Sequence, residues 1–424
     1  MKKNLFRICS FFNNDFVKNS LLFSAFSFLN SGLNFLLLLM LANYLTAENY
    51  GQLNMYNILL TFLGFVIPLN CNSYISVVYY RNTKEKVVKY ISIIFKISIV
   101  LLTILLLATI LIPNIDRCMG ISKKMIVLTA LIAFTQVFTN ILLDLWRLEE
   151  KILSYGVFTF ILVIVNIVLS LLLIIKLDLG WEGRVYAQLI TVSCMLCVAL
   201  IILKRKSYLS IIKNSKTEVR DILNYGIPLI PHSISSWIRM GIDRYMINMF
   251  YPMAVVGIYS FAFNIANIIQ VIGFAFNATY SVFLYKVLSN NKNDDLCSLR
   301  KITNIMILVF SILTVFVVLI GNVVIQNYFL DYANATSYLG PLCISTLFQC
   351  LYYLYVNYLF YFSKTRQLML ITLSTTTLHF ILVLVFVRYS EIYAVYINML
   401  TSILIFVLVY MYSGKIIKNK KLFL

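Results

Sequence analysis

Twelve apolar stretches run through this 424-residue chain, each of about 20 residues, the length a helix needs to cross roughly 30 Å of hydrocarbon. They fall at about 21–41, 53–78, 90–112, 125–145, 155–175, 185–203, 222–250, 254–288, 302–325, 338–362, 368–387 and 392–412. In lipid every backbone amide and carbonyl must be satisfied internally. Stretches of this length therefore predict an all-α integral membrane protein of about 12 transmembrane helices. Composition agrees: 61% of residues are hydrophobic, 12% are charged, and mean hydropathy is +0.89.

The connecting loops set the orientation. Of the 35 Lys and Arg, 26 lie in the N-terminus, the C-terminus and alternate loops on their side, while six lie on the other. The remaining three, Lys96, Arg239 and Arg244, fall inside apolar stretches. An even number of spans with this bias predicts cytoplasmic N- and C-termini. The net charge of +19 is then explained by topology and by attraction to anionic lipid headgroups, and no nucleic-acid partner is expected. The basic start runs straight into a full-length span, so the first helix reads as an uncleaved signal-anchor.

Chemistry for catalysis is sparse. The eight cysteines lie mostly in or beside spans, and the pair Cys194 and Cys197 has no second Cys pair or His nearby to complete a tetrahedral site. They read as small apolar residues and no metal is expected. With two histidines, His232 and His379, no glycine-rich phosphate loop and only short connections, the chain is not expected to be an enzyme. The plain reading of both histidines is hydrogen bonding between helices.

The most basic loop divides the chain into an N-terminal six-helix bundle (1–205), a cytoplasmic linker (206–221), a C-terminal six-helix bundle (222–414) and a basic cytoplasmic tail (415–424). Six is even, so the halves share one orientation, as in a parallel repeat around a central cavity. The short outer turns ending in Gly51 and Gly257 occupy matching places in the two halves.

Those turns carry a resemblance. The segment 42–51, Ala-Asn-Tyr-Leu-Thr-Ala-Glu-Asn-Tyr-Gly, preceded by Asn34, resembles the first hairpin of polysaccharide-biosynthesis flippases in the MATE-like superfamily. The stretch from Tyr225-Gly226-Ile227-Pro228 through Trp237-Ile238 and Ile242-Asp243-Arg244 to Val256-Gly257-Ile258-Tyr259-Ser260 is similar to that family's seventh and eighth helices, and Leu179-Gly180-Trp181-Glu182-Gly183 is a third match. The family commonly has Arg where Asn43 stands and Gly-Pro where Thr46-Ala47 stand, so the role of that Arg does not carry over. The resemblance implies a flippase of the Wzx kind, which moves an undecaprenyl-diphosphate-linked oligosaccharide to the outer leaflet of the bacterial inner membrane for O-antigen or other surface polysaccharide. Membrane lipids, a polysaccharide polymerase and a chain-length regulator are its implied partners. No cofactor is expected, and coupling to an H+ or Na+ gradient stays open.

Such a cargo must carry a dianionic diphosphate and a polar glycan past hydrocarbon, where an unpaired charge costs several kcal/mol. Span 7 supplies a candidate lining: Tyr225, His232, Ser236, Arg239 and Asp243 fall within roughly 40° on a helical wheel. Arg239 is the first candidate, because guanidinium suits bidentate phosphate recognition. Asp243 and Arg244 are further candidates to face the cargo; against this, Arg239 and Asp243 are spaced to neutralise one another, and Arg244 near the outer end can snorkel. Span 1 offers Ser27, Asn30, Ser31 and Asn34, which suit either sugar hydroxyls or helix joining. Lys96 is a further candidate that can also snorkel. Asp144 is a coupling-ion candidate or the partner of Arg147. The span 8 amides Asn264, Asn267, Gln270 and Asn277 share no single face and read as several helix contacts. Tyr259, near the outer end of that span, is a candidate for stacking on a sugar ring.

The rival readings are a MATE-type cation-coupled small-molecule exporter, a lipid II flippase, a membrane glycan polymerase or ligase, and a non-transporting assembly subunit. An exporter of cations calls for buried acids in the first half, a lipid II flippase usually has two further helices, and a polymerase calls for a long catalytic outer loop. The sequence offers none of these.

Overall fold

The computed structural model describes residues 15–209, 215–290 and 293–419, and among them the chain is helical with tight turns and no strand. The basic residues Lys2, Lys3, Arg7, Lys213, Lys292, Lys420 and Lys421 lie outside the described residues, as do 420–424 of the expected tail and 210–214 of the expected linker. The helices are α1 (Asp15–Ala42), α2 (Ala47–Val66), α3 (Tyr74–Arg81), α4 (Lys84–Leu111), α5 (Ile115–Met119), α6 (Lys123–Leu148), α7 (Ile152–Leu171) and α8 (Gly180–Arg205). They continue with α9 (Lys216–Gly226), α10 (Ile230–Phe250), α11 (Met253–Asn290), α12 (Asn293–Tyr328), α13 (Ala335–Tyr361), α14 (Thr365–Phe386) and α15 (Ile392–Asn419).

Each of the twelve expected spans has its helical counterpart. Among the described residues, nine helices are long and apolar enough to cross a membrane by themselves, or ten if the bent pair in the second span counts as one. Helix α10 holds Arg239, Asp243 and Arg244 within six residues, too many charges for it to count among them.

Spans 2 and 7 are both broken. After α2 the chain passes Pro68, takes left-handed φ at Leu69 (51°) and Asn70 (56°), and makes a 3-10 turn before α3, a bend of 52°. Pro68 contributes no amide hydrogen and ends the helical ladder. In span 7 a 3-10 turn at Ile227–Leu229, with Pro228 inside it, separates α9 from α10. This corrects the expected polar stripe: Tyr225 belongs to α9 and is not continuous with His232 and Ser236 on α10.

The chain forms two compact units, Met1–Leu37 with Met55–Ile234, and Leu38–Asn54 with Ser235–Leu424. In the first, α6 packs against α4 and α8, and α7 against α8, around fully buried Ile94, Ile132, Leu142 and Val185. The two helix breaks meet here. A Cβ on Gly226 would lie 2.4 Å from the Leu69 carbonyl oxygen, Cys71 Sγ donates to the Ile222 carbonyl (3.7 Å), and Asn70 Nδ2 donates to Ser233 Oγ (2.9 Å). Backbone groups freed by both breaks are thus taken up locally. Helix α9 starts with a capping box, Ser215 with Glu218, and Glu218 pairs with Lys89 of α4 at 3.2 Å. Arg184, counted above with the outer loops, is instead inside α8, buried, with Nη1 donating to Ser170 Oγ (2.8 Å).

In the second unit α13 packs against α11, α12 and α15, and α14 packs against α15. The turns marked by Gly51 and Gly257 pack directly on each other. A Cβ on Gly257 would sit 1.8 Å from the Ala47 carbonyl oxygen, and one on Gly51 would sit 2.5 Å from the Met253 carbonyl oxygen. Only glycine permits this approach of α2 to α11. Around it Tyr50, Phe261 and Tyr332 form edge-on and tilted ring contacts, Asn264 donates to Tyr50 Oη (2.8 Å), and Tyr332 Oη donates to the Leu45 carbonyl (3.0 Å).

Candidate functional site

Helix α10 carries the charged residues, and the structure separates their roles. Asp243 is 1% exposed and faces inward. Its Oδ2 accepts from Tyr259 Oη of α11 (2.6 Å) and from Asn398 Nδ2 of α15 (2.8 Å). Its Oδ1 lies 3.0 Å from Nε2 of His379 on α14, whose side chain is equally buried. His379 Nδ1 is 3.0 Å from Thr401 Oγ1, one turn along α15 from Asn398. Four helices therefore converge on one carboxylate.

Arg244 is also buried but does not join that carboxylate. Its Nη1 donates back to the Met240 carbonyl (2.7 Å), Nε donates to Ser260 Oγ (2.9 Å), and the guanidinium lies 4.4 Å from the Phe263 ring centroid. Cation–π contact and hydrogen bonding replace the expected snorkelling. Tyr259 is fully buried with its hydroxyl on Asp243, which corrects the expectation that it stacks on a sugar.

Arg239 stands apart. It forms no ion pair with Asp243 among the described residues, Asp243 being occupied by His379. Its Nε is buried without a hydrogen-bond partner, and its charge is felt by Tyr352 and Tyr353 of α13. A partly exposed guanidinium with no neutralising carboxylate is costly within a span unless something else meets it. On the same helix Ser236 is half-buried and His232 is exposed.

The remaining candidates are dispersed. In the first unit Asn34 Nδ2 donates to the Asn30 carbonyl (3.0 Å), while Asn30 Oδ1 is buried without a partner. Lys96 is exposed on α4, and Asp144 is held by Arg147 at 2.7 Å. Three of the span 8 amides bond to different neighbours: Asn264 to Tyr50 and Asn54, Gln270 to Tyr353, and Asn277 to Asn357. No group of three or more His, Cys, Asp or Glu among the described residues is arranged to hold a metal. Sequence reasoning missed His379, Asn398 and Thr401 as parts of the Asp243 cluster. The one available signal was a histidine inside an apolar span.

The family described as polysaccharide biosynthesis protein matches residues 16–283, more than half of the chain. The chain belongs to that family. It is 24% identical over 392 residues to the Lsg locus putative protein 1 of Haemophilus influenzae, covering 91% of this chain and 94% of that one. In fold this polysaccharide biosynthesis protein is similar to a multidrug resistance MATE family transporter of the MOP superfamily in its inward-facing conformation. The TM-score is 0.71 at 18% identity, over 90% of this chain and 95% of the other. A MOP superfamily transporter from Pyrococcus furiosus, described as having a binding pocket of reversed polarity, gives 0.61 at 16% identity, over 95% and 94% of the two chains. These likenesses and the apolar helices establish an all-α, multi-pass membrane protein with a MATE-like fold.

Proposed function

We propose that this protein is a flippase that translocates undecaprenyl-diphosphate-linked oligosaccharide repeat units from the cytoplasmic to the periplasmic leaflet, supplying O-antigen or another surface polysaccharide. It acts in the bacterial inner membrane with both termini cytoplasmic, and hands its cargo to a polymerase and a chain-length regulator. Membership of a polysaccharide biosynthesis family and a fold shared with transporters support translocation over catalysis. The observation that carries the cargo assignment is Arg239, a cation within a spanning segment whose Nε has no partner and whose nearest helical carboxylate is committed to His379. A diphosphate headgroup supplies the anion and the planar acceptors that a guanidinium fits. An exporter of organic cations, the reading closest in fold, is disfavoured by the same charge.

Purified protein in proteoliposomes with a defined polyprenyl-diphosphate oligosaccharide tests this directly. Arg239→Ala should abolish flipping and surface glycan at normal protein abundance, whereas Arg239→Lys keeps a point charge and part of the activity. Because Asp243 is paired elsewhere, Arg239→Ala with Asp243→Ala should not recover function. Wild-type rates in Arg239→Ala, or rescue by the double variant, would remove the basis of the assignment.

A further inference from the structure

Phe274 of α11 is 52% exposed, in a row that otherwise carries amides. Asn267, Gln270, Phe274 and Asn277 lie within about 80° of one another around the helix, whereas Asn264 is turned away to Tyr50 and Asn54 of α2. The row meets α13 at three places. Gln270 Nε2 donates to Tyr353 Oη (3.0 Å), the Tyr353 ring stacks on Phe274 with centroids 4.6 Å apart, and Asn357 Nδ2 donates to Asn277 Oδ1 (2.8 Å). Gly273 allows the approach, since a Cβ there would lie 2.4 Å from Cys350 Sγ. Tyr353 is 9% exposed, so it holds the Phe274 ring from one side and leaves the exposure on the other.

The amide at the end of the row has its direction fixed. Asn357 Nδ2 also donates to the Tyr353 carbonyl (2.8 Å), which can only accept, so both hydrogens of that amide are spent and Asn277 turns its oxygen toward them. The Asn277 Nδ2 hydrogens then have no acceptor among the described residues, on a side chain that is half-buried. An amide donor facing hydrocarbon is costly, so this is not a lipid-facing row. Arg239 stands beside the same platform, its charge felt by Tyr352 and Tyr353. Along the row itself every side chain is uncharged.

We propose that the row binds the first sugar of the cargo, a neutral pyranose. The open face of Phe274 stacks on the C–H face of the sugar, the Asn277 amide donates to a hydroxyl or acyl oxygen at its edge, and Arg239 holds the diphosphate to which that sugar is attached. A flat apolar ring bordered by a directed amide donor suits a pyranose, which has an apolar face and a polar edge. A polyprenyl tail would use the ring but not the amide, and an acidic sugar would find no cation along the row. All of these groups belong to α10, α11 and α13, so the subsite lies within the second unit. The assignment rests on the flippase reading for its cargo and adds which part of the headgroup this unit recognises.

Purified protein in lipid nanodiscs is given two probes of equal charge, undecaprenyl diphosphate capped by a methyl group and undecaprenyl diphosphate carrying one N-acetylglucosamine, and the equilibrium affinity for each is measured. The wild type should bind the glycosylated probe about three- to tenfold more tightly, the order of one stacked ring. Phe274→Ala and Phe274→Leu should erase that preference and leave affinity for the methyl-capped probe as it was. Phe274→Trp should keep the preference, and Asn277→Leu should reduce it. Arg239→Ala should weaken both probes together. Equal wild-type affinity for the two probes overturns the subsite and leaves the diphosphate assignment standing, and this comparison does not depend on any variant folding. A loss in Phe274→Ala and Phe274→Leu that is the same for both probes means a ring packed on the tail or serving structure alone, and also overturns it. If the wild type binds neither probe, the flippase reading falls and takes the subsite with it. If Arg239→Ala changes neither affinity while Phe274→Leu loses the preference, the arginine assignment falls and the sugar subsite stands.

Discussion

Replacing Gly257 by alanine adds one methyl group where α11 lies closest to the first turn of α2. The new Cβ would lie 1.8 Å from the Ala47 carbonyl oxygen and 3.2 Å from the Gly51 nitrogen, the two ends of one helical hydrogen bond in the first turn of α2. Contacts of this kind are essentially never under 3.0 Å, so α2 and α11 must part by about 1.2 Å. A gap of that size forfeits much of the dispersion energy of the atoms it separates. The Asn264–Tyr50 hydrogen bond, 2.8 Å long, breaks at a cost of about 1 kcal/mol. The contacts of the Tyr50 ring with Phe261 and Tyr332 are worth about 0.5–1.5 kcal/mol per pair. Together with overpacking strain, the expected loss is about 2–4 kcal/mol. Denaturant unfolding in a fixed detergent should show it as a lower midpoint with normal membrane insertion. Gly64 is the control: nothing lies within 4 Å of its added Cβ, so Gly64→Ala should be neutral or stabilise α2 by about 0.5–1 kcal/mol. Equal stability of Gly257→Ala and wild type, within about 0.5 kcal/mol, would refute the close-approach argument.

Three further outcomes are expected. Reporter fusions after Lys213 and after Lys421 should both read as cytoplasmic, and a periplasmic signal at either position contradicts the loop-charge argument for that half. Asn264→Leu, which strips Tyr50 and Asn54 of their shared donor in a buried setting, should lower stability by about 1–3 kcal/mol in the same unfolding assay. At the end of α6, burial pushes the Glu149 carboxyl up, but Lys151 and Lys206 outweigh it and hold the carboxyl below its usual range. A depressed carboxyl contributes stability that is complete above its unfolded value and is lost as pH falls through the folded one. Amide protection at 147–152 and 206–209, corrected for intrinsic exchange, should therefore fall on acidification in the wild type and stay flat in Glu149→Gln.

The sequence by itself determined the fold class. Twenty-residue apolar runs have one stable form in lipid, and that constraint is local to each segment, so every expected span is helical, although Pro68 and Pro228 mark breaks in two of them. Basic-loop counting is similarly additive along the chain and needs no contacts. Gly51 and Gly257 were also legible as special, because their turns stand out in the pattern. That they press on one another was not, since it depends on how α2 and α11 cross. The charged residues of α10 show the limit most plainly. Helical spacing offered Asp243 to Arg239, a neighbour four residues away, and local geometry permitted the pair. Tertiary structure gave Asp243 to His379, 136 positions along the chain, with Tyr259 and Asn398 completing the shell. A buried carboxylate takes whichever donors desolvate it least, and which donors those are is decided only when α10, α11, α14 and α15 have packed. Arg239 was left without its carboxylate by the same event, and Tyr259 and Arg244 were drawn inward from the roles that position alone suggested.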